Sequence, residues 1–511
     1  PLAEYGIANV KTSSTDKDAS SAFLKYADFS HYADYFNGME DENIVQAIPN
    51  AKASEWMEEN IPLFECPQHN FEEMYYYRWW SIRKHIKETP VGYGMTEFLV
   101  QRSYSDKYNL IACAIGHHIY ESRWLRDPKY LDQIIHTWYR GNDGGPMKKM
   151  DKFSSWNADA VLARYMVDGD KDYMLDMKKD LETEYQRWER TNRLKNGLYW
   201  QGDVQDGMEE SISGGRRKKY ARPTINSYMY GNAKALSCIG ILSGDEGMAM
   251  KYGMRADTLK NLVENELWNK RHQFFETMRM DSSANVREAI GYIPWYFNLP
   301  DTTQKYEIAW KEIMDAKGFS APYGLTTAER RHPEFRTRGV GKCEWDGAIW
   351  PFASAQTLTA MANFMNNYPQ TVLSDSVYFR QMELYVESQY HRGRPYIGEY
   401  LDEVTGYWLK GDQERSRYYN HSTFNDLIIT GLIGLRPRLD NTIEVNPLIP
   451  ADKWDWFCLD NVLYHGHNLT ILWDKNGDRY HCGKGLRIFV DGKEVGHTDT
   501  LTRIVCENVL K

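Results

Sequence analysis

Between residues 66 and 436 the chain repeats one pattern, apolar residues spaced three and four apart, and this pattern restricts most of it to helices. About eleven such segments follow one another in pairs, each mostly about 12 to 20 residues long and ending at Gly, Asn or Pro. Clear examples are 156–170, 171–191, 225–244, 246–268 and 352–368. We therefore expect a mainly α domain of paired helices over 66–436.

The pattern changes after residue 436. Short runs rich in β-branched and aromatic residues, such as "NLTILWDK" and "LRIFVDGKEV", alternate with turn signals that include Asn476-Gly477 and Asp491-Gly492. A small all-β, sandwich-like domain is predicted for 437–511, and an N-terminal extension with short helices for 1–65. No sequence repeat of about 20 to 50 residues is visible, although paired helices can close into a toroid without one.

Composition narrows the classes of partner. Aromatic residues make up 14% of the chain, with 17 Trp and 36 Tyr, and flat rings with a polar edge suit the faces of sugars as well as large cores. The net charge of −9 argues against a nucleic-acid partner, because phosphate recognition needs a concentrated basic surface. No apolar run of about 18 residues predicts a membrane span.

Neither a cofactor nor a metal is expected. The seven cysteines are scattered without a zinc or disulfide pattern, and no dinucleotide or phosphate-binding loop occurs. The first residues, "PLAEYGIANVKTSSTDKD", carry no visible signal peptide, which leaves a cytoplasmic location open beside export with a signal already removed. The sequence does not predict an oligomeric state.

Carboxylates gather in glycine-containing loops rich in aromatics, which matters because hydrolysis of a glycosidic bond uses two carboxyl groups, one protonated and one ionised. The first such stretch is "GLYWQGDVQDGMEESISGG". It places Asp203, Asp206 and Glu209 behind Tyr199 and Trp200. Taken alone, this stretch is also typical of a solvated acidic turn.

The second stretch is "GKCEWDGAIWPF", in which Trp345 and Trp350 flank Asp346. Pro351 is expected at the first position of the next helix. An indole wall at the mouth of a helix would make a platform for a sugar, and a buried plug in the loop is the alternative interpretation.

The third stretch, "RPYIGEYLDEVTGYW", holds Glu399 among aromatics and glycines. It precedes a strongly apolar segment that we expect to be a helix capped by Ser422 or Thr423. A rigid buried helix next to a carboxylate can hold that carboxylate accurately in position.

Together these stretches resemble glycoside hydrolase family 63 and its mannosylglycerate-hydrolase-like relatives. "EYLDEVTG" looks like the E-x-x-[ND]-x-x-T-G segment of those enzymes, and "EWDGAIWPF" looks like their W-x-G-[PA]-x-W-P element. "DGMEESISG", followed by "RPTINSYMYGNAKALS", is similar to the region where they present an acid before an N-[SA]-Y helix. The similarity runs in order over about 65 to 450.

The resemblance implies a six-hairpin (α/α)6 toroid and an inverting mechanism. The general base of the family matches Glu399, and its general acid matches an Asp of the first stretch. Since "GDVQDGME" stands where the family has its usual motif, the register of the alignment is ambiguous there. Asp206 is preferred as the acid, with Asp203 the alternative and Glu209 third.

An earlier stretch, "EEMYYYRWWSIRKHIKETPVGYGMTEF", carries a stripe of aromatic residues at helical spacing. Such a stripe is more typical of the core. The alternative is that Arg78, Trp79, Lys84 and Glu97 line the mouth of the toroid.

The predicted function is that of an exo-acting α-glycosidase, α-glucosidase-like, which removes a terminal sugar from an oligosaccharide or glycoside. Arg394 or Arg417 is expected to keep Glu399 ionised. The residues expected to bind substrate are Trp345, Asp346, Trp350, Tyr199, Trp200, Arg78, Trp79, Arg394, Arg417 and His421. A polysaccharide lyase using "RYYNHS", which includes Tyr418 to His421, and a non-catalytic carbohydrate-binding protein stay open as alternatives.

Overall fold

The computed structural model describes residues 22–303 and 305–511, so the first 21 residues of the predicted extension lie outside the described residues. The α-helices are α1 (Ser30–Asn37), α2 (Ala53–Asn60), α3 (His69–Lys84), α4 (Ile115–Ser122), α5 (Lys129–Arg140), α6 (Asn157–Asp168), α7 (Lys171–Asp176), α8 (Lys178–Asn192), α9 (Pro223–Ser243), α10 (Glu246–Leu262), α11 (Ile293–Tyr296), α12 (Pro351–Asn367), α13 (Asp375–Ser388) and α14 (Asn425–Leu427). The strands are β1 (Leu63–Glu65), β2 (Ile86–Thr89), β3 (Gly92–Met95), β4 (Trp200–Gln201), β5 (Tyr220–Ala221), β6 (Trp268–Asn269), β7 (Phe274–Phe275), β8 (Ser320–Ala321), β9 (Gly324–Leu325), β10 (Tyr390–His391), β11 (Arg394–Pro395), β12 (Ile443–Val445), β13 (Trp456–Tyr464), β14 (His467–Asp474), β15 (Gly485–Val490), β16 (Lys493–Thr498) and β17 (Ile504–Cys506).

The helices form a closed double ring. Helices α4, α6, α9, α11, α12 and α14 contact one another in that order, and α14 returns to α4. Each is preceded in the chain by a partner, namely α3, α5, α8, α10, the 3-10 segment Glu307–Ile313 and α13. The inner helices are almost wholly buried, whereas α5, α8 and α10 expose one face. The predicted (α/α)6 toroid is therefore confirmed.

Local sequence signals set the ends of the inner helices. Helix α9 begins at Pro223 and ends before Gly244, whose φ of 73° a residue without a side chain adopts readily. Helix α12 begins at Pro351, as predicted. Gly240 lets α10 lie directly against α9, because a Cβ at this position would come 2.6 Å from the backbone nitrogen of Ala249.

The apolar helix α14, which continues as the π-helical turn Ile428–Leu432, is capped from a distant part of the chain. The carboxylate of Glu121, on α4, accepts hydrogen bonds from the backbone N–H groups at 424–426, the shortest of them 2.8 Å. The prediction that Ser422 or Thr423 caps this helix is wrong, because neither makes a side-chain cap to it in the described part of the chain. A buried carboxylate meets the unsatisfied N–H groups and the positive end of the helix dipole at once.

A five-stranded antiparallel sheet, in the order β1, β13, β14, β15 and β16, forms the C-terminal β piece, and β12 pairs with β17 beside it. The predicted turn Asp491-Gly492 joins β15 and β16, with both residues at positive φ. Strand β1 comes from before residue 66 and completes the sheet by pairing with β13. The domain boundaries at 65/66 and 436/437 stay predictions.

Candidate active site

Three glutamates from separate loops lie near one another. Glu97 follows the β2–β3 hairpin, Glu209 lies between β4 and β5, and Glu399 follows the β10–β11 hairpin. Burial and then the charges of Glu399 and Glu209 raise the pKa of Glu97, and burial together with the same two charges raises the pKa of the Cys343 thiol. These loops therefore converge on one acidic site.

Glu399 lies at the wall of this site with a side chain that is almost fully buried. Its residue is 6% exposed, and Lys410 Nζ and Arg415 Nη2 lie 3.4 and 3.5 Å from Oε2. These two cations, rather than the predicted Arg394 and Arg417, are the ones beside the carboxyl group. Oε2 is buried and makes no hydrogen bond in the described part of the chain.

The "EYLDEVTG" segment is a hairpin that fixes the backbone after Glu399. Asp402 Oδ1 accepts hydrogen bonds from the backbone N–H groups at 404 and 405, 3.0 and 2.8 Å long. Arg336 contacts Asp402 at 2.9 Å, Glu344 at 2.6 Å and Glu403 as well. One guanidinium therefore ties the second and third predicted stretches together.

Glu209 is partly buried and has no cation paired with it in the described ranges. Burial raises the pKa of its carboxyl group to about 7, a backbone hydrogen bond opposes the shift, and the charges of Glu399 and Asp203 add to it. At neutral pH a substantial fraction of Glu209 therefore carries a proton, which suits a general acid.

Asp206 is enclosed in a different network. Its Oδ2 accepts hydrogen bonds from Arg222 Nε at 2.6 Å and Thr224 Oγ1 at 2.5 Å, and its Oδ1 accepts one from Ser154. The side chains of Asp206 and Arg222 are both fully buried. Since both oxygens are already occupied, neither is free to contact a sugar oxygen.

Asp203 is also turned into the loop. Its Oδ1 accepts a hydrogen bond from the backbone N–H of Val204 at 2.9 Å, and its Oδ2 lies 3.4 Å from the hydroxyl of Ser211. Gly214 packs so closely that a Cβ there would come 2.2 Å from Oδ2. Burial raises the pKa of Asp203, and the nearby Arg222 charge opposes the shift.

Aromatic rings form a continuous stack beside Glu399. Trp345 stacks on Trp350 with centroids 4.3 Å apart, and Trp350 stacks on Tyr400 at 4.5 Å. Lys410 Nζ lies 5.0 Å above the centroid of the Tyr400 ring. Trp345 and Trp350 are each at most 3% exposed, so the stack supports the wall of the site more than it presents an open face.

The remaining predicted binding residues divide between this region and the core or surface. Trp79 and Tyr199 are buried in the hydrophobic core. Asp346 is fully buried and accepts the backbone N–H groups at 338 and 339 through Oδ2. Trp200 is partly exposed, with Lys219 Nζ 4.5 Å from its ring.

The predicted arginines and His421 lie in three settings. Arg78 is buried and donates to Gln389 and to Ser422. Arg394 is exposed, and Arg417 lines a small open cavity that does not include the three glutamates. Burial, with the nearby His117 and Arg78, holds the pKa of His421 well below its ordinary value, so its ring is neutral.

Sequence reasoning assigned no part in binding or catalysis to Lys410 and Arg415. It gave Glu97 a place at the mouth of the toroid only as the alternative to a core position, because no spacing in "GMTEF" marks an acid as functional. Lys84, named with Glu97, lies instead in the open cavity that Arg417 lines. Lys410 and Arg415 follow the recognised hairpin within sixteen residues of Glu399, so proximity in sequence was the one available signal for them.

Comparison with known families decides the class of the protein. The family model for the mannosylglycerate hydrolase MGH1-like glycoside hydrolase domain matches residues 107–422. The chain belongs to this family. It therefore contains a glycoside hydrolase domain, and its C-terminal part, residues 435–497, matches the model for the C-terminal domain of glycosyl hydrolase family 65.

Solved structures agree with this membership at the level of the fold. A structure named "Sialidase" is 94% identical with a TM-score of 0.96; it covers 98% of this chain, which spans only 46% of that one. The GH63 mannosylglycerate hydrolase from Thermus thermophilus, in complex with glucose, is 13% identical with a TM-score of 0.51 over 70% of this chain and 99% of its own. A GH78 family rhamnosidase from a Bacillus species is 10% identical with a TM-score of 0.56 over 84% and 41%.

The described residues include neither a candidate membrane span nor a candidate metal site. No helix within 22–303 and 305–511 combines the length and apolar character of a membrane span. Across the same ranges, no group of three or more His, Cys, Asp or Glu side chains has the arrangement of a metal site.

Proposed function

We propose that this glycoside hydrolase is an inverting, exo-acting enzyme in which Glu209 is the general acid and Glu399 is the general base. Glu209 would protonate the departing glycosidic oxygen. Glu399 would take a proton from the water that attacks the anomeric carbon.

The observation that carries the proposal is the contrast between the surroundings of these two carboxyl groups. Glu209 makes no ion pair among the described residues, and its pKa is raised to about 7, while Lys410 and Arg415 lie within 3.5 Å of Glu399. A carboxyl group that holds a proton, near a second one flanked by two cations, is the pattern expected for an acid and a base.

Contacts inside the protein favour Glu209 over the other two acids of its loop. Asp206 has both oxygens engaged by Arg222, Thr224 and Ser154. Asp203 is 1% exposed and closed in by Gly214. Asp206 and Asp203 as the general acid stay predictions beside Glu209.

Inversion follows the family resemblance. Among the described residues no hydrogen bond joins Glu209 to Glu399, so a sugar can lie between the two carboxyl groups. Glu399 is 6% exposed, which suits a closed pocket that takes one terminal sugar better than an open groove along a polymer.

α-Glucosides are the first substrates to test, following the family resemblance. The names of the similar structures extend the panel to α-mannosides, α-L-rhamnosides and sialosides. Because this chain spans 46% of the structure named "Sialidase", that activity can belong to the part that is absent here. β-Anomers and furanosides complete the panel.

The test is hydrolysis of this panel by the wild type, followed by NMR of the first-formed anomer for the best substrate. The proposal expects release of a terminal sugar with inverted configuration, and losses of about 10²-fold or more in kcat for Glu209→Gln and Glu399→Gln. Retained configuration would contradict inversion. An unsaturated product that absorbs in the ultraviolet would favour the lyase alternative.

A further inference from the structure

Glu97 is a third carboxyl group in the site, and the two-carboxylate mechanism does not use it. Its residue is 5% exposed, and its backbone carbonyl accepts the N–H of Asn420 at 2.9 Å. Its Oε2 is buried with no hydrogen-bond partner in the described part of the chain. An unsatisfied buried oxygen destabilises a folded protein, so such an atom requires an explanation.

The backbone around Glu97 is held firmly. Asn420 donates through Nδ2 to the carbonyl of Thr96 at 3.1 Å, and its own carbonyl contacts His118 Nε2 at 2.7 Å. Tyr419 donates its N–H to the carbonyl of Ile397 at 3.1 Å. The segment that carries Glu97 is therefore tied to the segment that leads to Glu399, so the two carboxyls keep a fixed relation.

The surroundings of Glu97 favour its neutral form. In the described ranges, no ion pair connects Glu97 with a cation. Burial raises its pKa to about 8, a hydrogen bond from Tyr419 opposes this, and the charges of Glu399 and Glu209 raise it further. At neutral pH the group therefore carries a proton and is able to donate a hydrogen bond.

Two structural carboxyl groups, those of Glu121 and Glu184, have both oxygens engaged. Glu121 uses both oxygens to cap α14. Glu184 accepts Asn157 Nδ2 at 3.0 Å through Oε1 and the hydroxyl of Tyr139 through Oε2. Glu97 lacks this complete set of partners among the described residues, and the free atom lies in the site that holds the two other acids.

We propose that Glu97 is a substrate-binding residue, which donates a hydrogen bond as a neutral carboxyl to one hydroxyl group of the sugar held between Glu209 and Glu399. The sugar hydroxyl would supply the partner that Oε2 lacks. This inference rests on the proposed function and adds a specificity-determining residue to it.

The first test is a cycle of enzyme variants and substrate variants. The best glycoside of the panel is compared with its monodeoxy analogues in the wild type, Glu97→Ala and Glu97→Gln. On the parent glycoside, we expect Glu97→Ala to lower kcat/KM about 10- to 100-fold, and Glu97→Gln less, because an amide still donates. For the one analogue that lacks the contacted hydroxyl, wild type and Glu97→Ala should agree within about threefold.

The second test is the pH profile of kcat/KM. Above pH 8 the wild-type rate should fall tenfold with each half unit, because Glu209 and Glu97 must both be protonated. Glu97→Gln should fall tenfold for each whole unit, since one titrating acid remains. The matched control, Glu184→Gln, should keep the wild-type slope and show no selectivity among the deoxy analogues.

The outcomes separate the two proposals. If the wild type hydrolyses no glycoside, the proposed function itself fails. If it hydrolyses glycosides but Glu97→Ala loses the same factor on the parent and on every deoxy analogue, Glu97 contacts no hydroxyl and the inference is overturned. If Glu97→Ala does not fold, the pH profile of Glu97→Gln decides instead. A fall in kcat/KM above pH 8 as steep as that of the wild type would overturn the inference.

Discussion

Replacement of Glu209 by glutamine tests the proposed acid through stability and activity together. Its pKa, raised from 4.5 to about 7, corresponds to a destabilisation of the ionised form in the fold by at most about 3 kcal/mol. The folded state binds this proton more tightly than the unfolded state. The resulting stability is therefore fully present below about pH 4.5 and is lost as the pH rises through 7.

Glutamine keeps the shape and carries no charge, so Glu209→Gln should be more stable than the wild type at pH 8 and nearly equal to it at pH 4. Thermal unfolding at the two pH values measures this difference, which should amount to a rise of up to a few degrees in Tm at pH 8 only.

The same substitution should lower kcat/KM about 10²- to 10⁴-fold on glycosides whose alcohol must be protonated to depart. The loss should be far smaller on a dinitrophenyl glycoside, since that phenolate leaves without a proton. The wild-type fall in kcat/KM that begins near pH 7 should also change in Glu209→Gln. Equal losses of kcat/KM on both kinds of leaving group would refute Glu209 as the general acid. If Asp206→Asn, rather than Glu209→Gln, loses activity only on the glycosides whose alcohol must be protonated, the general acid is Asp206.

Three further substitutions test the framework of the site. Asp206→Asn leaves Arg222 buried without its charged partner, so the free energy of unfolding in urea should fall by about 3 to 5 kcal/mol; a loss below about 1 kcal/mol would contradict the ion pair. Glu121→Ala removes the carboxylate cap of α14 and should cost about 1 to 2 kcal/mol in the same measurement, whereas an unchanged value would mean that solvent replaces it. Gly240→Ala would bring a Cβ to 2.6 Å from the Ala249 nitrogen, so we expect a lower Tm and a loss of about 1 to 3 kcal/mol, and an unaltered melting curve would refute the close approach of α9 and α10.

Much of the fold could be predicted from local patterns. The spacing of apolar residues indicated α6, α9 and α12, and Pro351 opens α12 as expected. Asp491-Gly492 turns the chain between β15 and β16 because both positions need positive φ. These signals lie within a few residues of the structure they specify, and for that reason they can be read without the tertiary fold.

Contacts between distant parts of the chain could not be read in this way. The helix expected to be capped by Ser422 or Thr423 takes its cap from Glu121, about three hundred residues earlier. Strand β1 joins a sheet made almost four hundred residues later. Each solution satisfies a local requirement, a free N–H group or a sheet edge, with a partner that only the closed toroid brings near.

The sequence by itself determined that helices form the body, that strands end the chain, and that acids gather in three loops, because periodicity and turn chemistry act over a few residues. Only the tertiary structure decided which acids have free oxygens: Arg222, Thr224 and Ser154 occupy Asp206, while Glu97, Glu209 and Glu399 meet with few partners of their own. Burial and charge, which set the protonation of a carboxyl group, depend on neighbours in space, and these come from loops up to three hundred residues apart.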